Sequence, residues 1–215
     1  MKISLYHYVH CPFCIRVRMT LGYFKIPFES VVLPYDDEAT PVGLTGKKML
    51  PIVVADSKPM DESLDIMSFL DKKKVLRIEA ETTTAKFAEF NEFLGQLGDQ
   101  VHSLAMPYWI HTPEFTETSR AYFKKKKEAK RGPFAELVKK QGTFTAALEP
   151  LLSRIEGKLR PFYDSTELGL YDILLASHLW GLYVVPEFQF PDGVHRYLQN
   201  IKTICQFNYH QDYWS

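Results

Sequence analysis

His10-Cys11-Pro12-Phe13-Cys14 is the stretch on which the reading of this chain turns. Two cysteines separated by two residues can close a small disulfide ring, and here they stand between two different periodicities. Before them, residues 2–9 alternate as a strand does, with Ile3, Leu5 and Val9 on one face; after them, Cys14 to Phe24 carries Ile15, Met19 and neighbouring apolar residues at helical spacing. Cys11 is therefore expected at a helix N-terminus, where unpaired backbone N–H groups and the positive end of the helix dipole favour a thiolate over a thiol. Pro12 suits the first helical position, where its missing N–H is no loss. Cys14 lies one turn further in, beyond the reach of those amides, and reads as the resolving thiol.

Other uses of such a pair are weaker. A structural zinc site needs two more ligands at similar spacing, but the only further cysteine is Cys205 and the seven histidines form no H-x(3–5)-H pair. Three cysteines in 215 residues are not the framework of a disulfide-stapled secreted chain. His10, beside Cys11, has two open readings: protonated, it helps hold the thiolate, or it is a partly exposed loop histidine with no such role.

Outward from the motif, Arg16 and Arg18 fall on other helix faces and read first as solvated charges, with the alternative for Arg16 that it adds positive potential near the thiol. Ile26-Pro27 ends the helix, and Phe28 to Leu33 forms a second strand stopped by Pro34. Together these make a βαβ unit with parallel neighbouring strands. Asp36 to Gly46 reads as a short helix and a loop. Met49 to Ala55 is a buried strand; because the trans form dominates X-Pro bonds, the residues alone predict a trans Leu50-Pro51 bond. Asp56-Ser57-Lys58 turns into a very short strand at Pro59-Met60, and Asp61-Glu62-Ser63 caps a helix running to about Asp71, with Ile66, Met67 and Leu70 inward.

From Lys72 the character changes. Residues 73–83 are polar and read as a linker between a first domain, 1–72, and an all-helical one, 84–215. Phe87, Phe90, Leu94, Leu97, Val101 and Leu104 mark a long helix closed by Pro107; Phe144, Leu148, Leu151, Ile155 and Leu159 mark another, with a kink or fresh start expected at Pro150. Leu170 to Trp180 and Val194 to Cys205 supply two more, and Cys205 continues the last apolar stripe as a small core residue. The basic run Lys124 to Lys127, with Lys130 and Arg131, reads as a solvated helix face.

The chain carries 26 Lys plus Arg against 26 Asp plus Glu, a balance that offers no attraction for nucleic acid or an anionic membrane. No apolar run approaches the roughly 18 to 20 residues of a membrane span, and the N-terminus lacks a signal-peptide core, so the expected location is the cytoplasm. The 46% hydrophobic residues are ample for real cores.

C-P-F-C after the first strand, Leu50-Pro51 before the third, Asp61-Glu62-Ser63 at a helix start and an all-helical second half form a recognisable set. On these the chain resembles the glutaredoxin 2 family, two-domain glutaredoxins built like glutathione transferases; stretches such as Cys11 to Met19 and Gly46 to Val53 add to the likeness. The resemblance implies an α/β thioredoxin-like domain followed by a helical glutathione-transferase-like one, and a cis Leu50-Pro51 bond whose backbone pairs with glutathione as an added strand would. It further implies that Phe13, Leu50, Pro51, Glu62 and Ser63 bind glutathione, with Glu62 and Ser63 taking the two ends of its γ-glutamyl group. Where such chains often carry a Ser/Thr-x-x-Asp capping box, this one reads Gly169-Leu170-Tyr171-Asp172, leaving Asp172 alone to cap.

The function implied is a glutathione-dependent thiol-disulfide oxidoreductase: catalytic Cys11 and Cys14, glutathione as co-substrate, no metal, glutathionylated or disulfide-containing proteins as partners, and a monomeric state. Two rivals remain. An omega-like glutathione transferase or dehydroascorbate reductase would use Cys11 alone, and Cys14 argues against it. A non-enzymatic scaffold like the soluble form of the intracellular chloride channel proteins would share the Cys-Pro-Phe stretch, although those proteins usually lack the second cysteine.

Overall fold

The alternating residues at the N-terminus form β1 (Ile3–His7), and the helix expected after the motif is α1 (Pro12–Tyr23), with Cys11 as its N-cap residue. The computed structural model describes residues 2–208. β2 (Glu29–Val32), α2 (Ala39–Thr45), β3 (Ile52–Ala55), β4 (Lys58–Met60) and α3 (Ser63–Leu70) complete an α/β layer. The sheet order is β2-β1-β3-β4; β1 runs parallel to β2, Leu5 facing Ser30, and antiparallel to β3, Leu5 facing Val53. This is a thioredoxin-like arrangement, and α1 and α3 pack together on one side of it. Leu33, Leu50, Ile52 and Cys14 form a separate small core, reached by Leu44 of α2.

The second half is helical, as expected: α5 (Ala85–Trp109), α6 (Glu117–Arg131), α7 (Phe134–Lys139), α8 (Gln141–Glu156), α9 (Leu170–Leu179) and α10 (Asp192–Ile204), with α4 (Ile78–Glu81) a single turn within 73–83. α9 is buried along its whole length and packs against α1 as well as α5. Asp172 caps it, Oδ2 accepting the Gly169 N–H at 2.8 Å, while Oδ1 accepts from the Tyr163 N–H and the Tyr197 hydroxyl, both at 2.8 Å.

Several expectations are corrected. α5 does not close at Pro107 but continues to Trp109, and α8 runs unbroken through Pro150 and ends before Leu159. A proline costs each helix one backbone hydrogen bond, and packing outweighs it: Leu148, Leu152 and Ile155 are buried on α8, and Met106, Pro107 and Trp109 on α5. Asp61 and Glu62 precede α3 and Ser63 opens it, without any side-chain cap; Glu62 sits at φ 62° and Asp61 pairs with Lys47 at 3.3 Å instead. Leu50-Pro51 is cis, against the prediction from the residues alone and as the resemblance implied. Cys205 is buried, as expected, where its carbonyl oxygen comes so close to Gly22 that a Cβ there would lie 1.7 Å from it.

Candidate active site

α1 begins under the motif, and its start builds the site. The Cys11 carbonyl accepts the amides of Cys14 and Ile15, both at 2.9 Å, which fixes the Cys11 side chain at the open end of the helix. Cys11 is half-buried, Cys14 fully buried, and both are free thiols. The Cys14 thiol hydrogen-bonds the Cys11 sulfur; with the Cys14 and Phe13 amides and the Arg16 charge, it lowers Cys11 to about 7 against the opposing effect of burial. Cys14 moves the other way, well above an ordinary thiol, through burial first and then through its bond and proximity to Cys11. Its sulfur accepts the Tyr8 N–H at 3.4 Å. The pair is thus divided into an acidic, reachable sulfur and a protonated, sheltered one.

Arg16 corrects the expectation of a solvated charge. It is buried, its guanidinium carbon 4.6 Å from the centre of the Phe13 ring and its Nε without a hydrogen-bond partner. Burial lowers it to about 10, which leaves it cationic at neutral pH beside the two sulfurs. His10 is likewise not a loop residue in solvent. It is 1% exposed and stacked between Trp109 and Phe115, and its Nε2 lies 2.6 Å from Thr112 Oγ1 and 3.6 Å from Glu114. His10 fastens the motif to the helical half.

A cavity of about 390 Å³ opens over Cys11. Tyr8, Phe13, Tyr35 and Leu50 line it from the α/β layer; His102, Met106 and Trp109 of α5 and Tyr122, Phe123, Lys126, Lys127 and Lys130 of α6 line it from the helices. Phe13 is 48% exposed, an unusual position for a large apolar ring and one directly beside the thiol. Cys11, Phe13 and Leu50 are therefore brought together, with Cys14 beneath them. Pro51 is buried behind Leu50, and Glu62 and Ser63 stand outside this lining at the start of α3. Among the described residues, no group of three or more His, Cys, Asp or Glu side chains is placed to hold a metal ion.

The α6 wall was missed as part of the site. Tyr122, Lys126 and Lys130 follow each other at intervals of four, as do Phe123 and Lys127, so one helix face carries aromatic rings and ammonium groups into the cavity. The Thr116 hydroxyl caps α6 by accepting the Ser119 N–H at 3.2 Å, and Lys48 anchors the helix across the cleft. Lys48 Nζ donates to the Tyr35 carbonyl, Glu38 and the Tyr122 hydroxyl at 2.9, 3.1 and 2.5 Å, and Tyr122 donates to Glu38 at 2.6 Å.

Known proteins match this architecture along nearly its whole length. The profile of the glutaredoxin 2 C-terminal domain matches residues 89–212, and that of the glutathione S-transferase N-terminal domain residues 5–77. The chain is 33% identical to glutaredoxin 2 of Escherichia coli K12 over 96% of its own length and 97% of that protein. Among solved structures it is similar to glutaredoxin 2 from Salmonella typhimurium in complex with glutathione, with a TM-score of 0.85, 32% identity and 96% of each chain covered. It is also similar in fold to a glutathione transferase from Phanerochaete chrysosporium, TM-score 0.77 at 15% identity, covering 97% and 98% of the two chains.

Proposed function

The chain belongs to the glutaredoxin 2 family, and we propose that it works as a glutathione-dependent thiol-disulfide oxidoreductase with Cys11 as nucleophile and Cys14 as resolving thiol. Glutaredoxin activity and glutathione as co-substrate come with the family; the roles given to individual residues are our reading. The observation that carries it is the split pair: Cys11 is lowered to about 7 at the floor of a cavity, while Cys14 beneath it is buried and raised.

With a glutathionylated protein, the Cys11 thiolate attacks the glutathione sulfur, the protein leaves as a thiolate that takes up a proton, and Cys11 carries the glutathione as a mixed disulfide. A glutathione thiolate then attacks that disulfide, releasing oxidised glutathione and restoring Cys11. With a protein disulfide, Cys11 forms a mixed disulfide with one protein sulfur and the other leaves. Cys14, giving up its proton, displaces the protein and closes Cys11–Cys14, which two glutathiones reopen. The first route consumes one glutathione, the other half of the oxidised glutathione coming from the substrate, whereas the second takes two electrons from two glutathiones to the protein disulfide.

For the tripeptide itself, we place its backbone along Leu50, at the cis Leu50-Pro51 bond, beside the exposed Phe13 ring. The γ-glutamyl end is assigned to Ser63 and Glu62, where the first turn of α3 has free amides and the Glu62 carboxylate makes no capping bond. We further infer a boundary at 73–83 between the two domains and a cytoplasmic monomer acting on glutathionylated and disulfide-containing proteins. The location is supported by a cysteine usage suited to a reducing compartment. Among the described residues, no helix is long and apolar enough to cross a membrane.

The test is turnover of hydroxyethyl disulfide with glutathione, glutathione reductase and NADPH. Cys11→Ser abolishes it and Cys14→Ser keeps much of it. Wild-type turnover by Cys11→Ser would overturn the assignment.

A further inference from the structure

The 26 cationic and 26 anionic side chains balance over the whole chain, yet they are segregated around the site. The cavity over Cys11 is lined by Lys48, Lys126, Lys127 and Lys130 and by no carboxylate. Through His102, Met106, Lys127 and Lys130 it continues into a second cavity of about 750 Å³ between α5, α6 and α7, where Arg131 and Lys140 join the lining. The single carboxylate there, Asp99, is taken up by Arg131 at 3.0 Å. Nearby acids are also engaged: Glu38 by Lys48 and Tyr122, and Glu128 by the Phe134 N–H at 2.7 Å and by Lys124.

Among the described residues, Lys126, Lys127, Lys130 and Lys140 have no ion pair. Lys127 is the most sheltered of them; burial lowers its ammonium, Lys130 and Arg131 lower it further, and the charge that favours it is the Cys11 sulfur. Four cations without carboxylate partners in one continuous groove leave an uncompensated positive field that begins at the reactive sulfur. A cleft lined by one sign of charge concentrates that field along its length.

We propose that this lysine-lined groove, running from Cys11 past Lys127 and Lys130 to Lys140, binds the acidic segment flanking the modified cysteine of a glutathionylated protein substrate. The inference rests on the oxidoreductase reading and adds the substrate class. Glutathione occupies the Leu50 side of Cys11, the leaving protein sulfur points the other way, and the residues next to it enter the groove. Aspartate and glutamate side chains there meet ammonium groups that have no ion-pair partner, Lys126 and Lys127 resting only over the Tyr122 and Phe123 rings.

The probes are two glutathionylated hexapeptides of equal length, one with Asp and Glu around the cysteine and one with Lys and Arg, compared with hydroxyethyl disulfide. At low salt the wild-type protein reduces the acidic peptide with kcat/KM about tenfold or more above the basic one, and the gap closes as sodium chloride approaches about 0.5 M. The variant Lys140→Glu, at a residue outside the cavity over Cys11, shrinks the preference severalfold and leaves hydroxyethyl disulfide turnover unchanged, which also shows that the variant is folded. Equal kcat/KM for the two peptides at low salt, with hydroxyethyl disulfide still reduced, overturns the groove alone. So does a preference undiminished in Lys140→Glu. Loss of all disulfide turnover in the wild-type protein overturns the oxidoreductase reading and this inference together.

Discussion

Replacing Cys14 by alanine is the sharpest test of how Cys11 becomes acidic. The Cys14 thiol is the foremost of the groups that lower Cys11, ahead of the Cys14 and Phe13 amides and of Arg16. A hydrogen bond to a charged group contributes about 1.5 to 3 kcal/mol, or roughly 1 to 2 pH units of midpoint, and a thiol donor belongs at the lower end. Cys14→Ala therefore moves the Cys11 midpoint from about 7 to about 8 or slightly above. At pH 7 the ionised fraction then falls from about half to about one tenth or less. Cys14→Ser retains a hydroxyl donor and stays closer to the wild-type value. The assay is the rate of iodoacetamide alkylation of Cys11 against pH, with Cys205 replaced if it reacts. An alanine variant with its midpoint still near 7 would refute the reasoning, because the amides and Arg16 would then suffice without the neighbouring thiol.

Two further outcomes concern stability. Asp172→Ala leaves the Gly169 and Tyr163 amides and the Tyr197 hydroxyl without their shared acceptor, and costs about 3 kcal/mol or more in urea unfolding; a loss under about 1 kcal/mol contradicts the capping role. Acid weakens the fold before its carboxylates titrate. Burial holds His7 at about 4 and His178 at about 3, with the Arg18 and Arg16 charges adding to the respective shifts. Between the ordinary histidine value of about 6.5 and these depressed values the unfolded chain binds protons that the folded chain refuses. Stability accordingly falls as pH drops through that window, by up to about 1.4 kcal/mol per pH unit for each histidine. A melting temperature unchanged from pH 7 to pH 5 contradicts the assignment of buried neutral rings.

Much of the fold was legible because its signals are local. The alternation of β1, the spacing of α1 and the C-P-F-C between them need only a dozen residues to read, and α5 and α9 announce themselves through their apolar stripes. What stayed hidden depends on partners distant in sequence. Arg16 and His10 look like surface residues until α5, α9 and the 110–115 loop close over them. Pro107 and Pro150 read as breaks because a local rule weighs one lost hydrogen bond and cannot weigh the packing that repays it. A run of lysines reads as solvated in one dimension; only the four-residue interval from Tyr122 to Lys126 to Lys130 hinted that one face of α6 points inward.

That division between local and distant signals is also a division of labour in the site. The groups that do most to make Cys11 acidic lie within residues 11–16, so thiol chemistry belongs mainly to the start of α1. The far wall of the cavity belongs to α5 and α6, more than 90 residues later in the chain. His10 to Thr112, Lys48 to Tyr122 and the tight approach of Gly22 to Cys205 hold the two halves in register at three separated points. Substitutions on the inward face of α6 other than at Lys127, whose charge interacts with the Cys11 sulfur, can therefore change which disulfides reach that sulfur while leaving its ionisation to residues they do not touch.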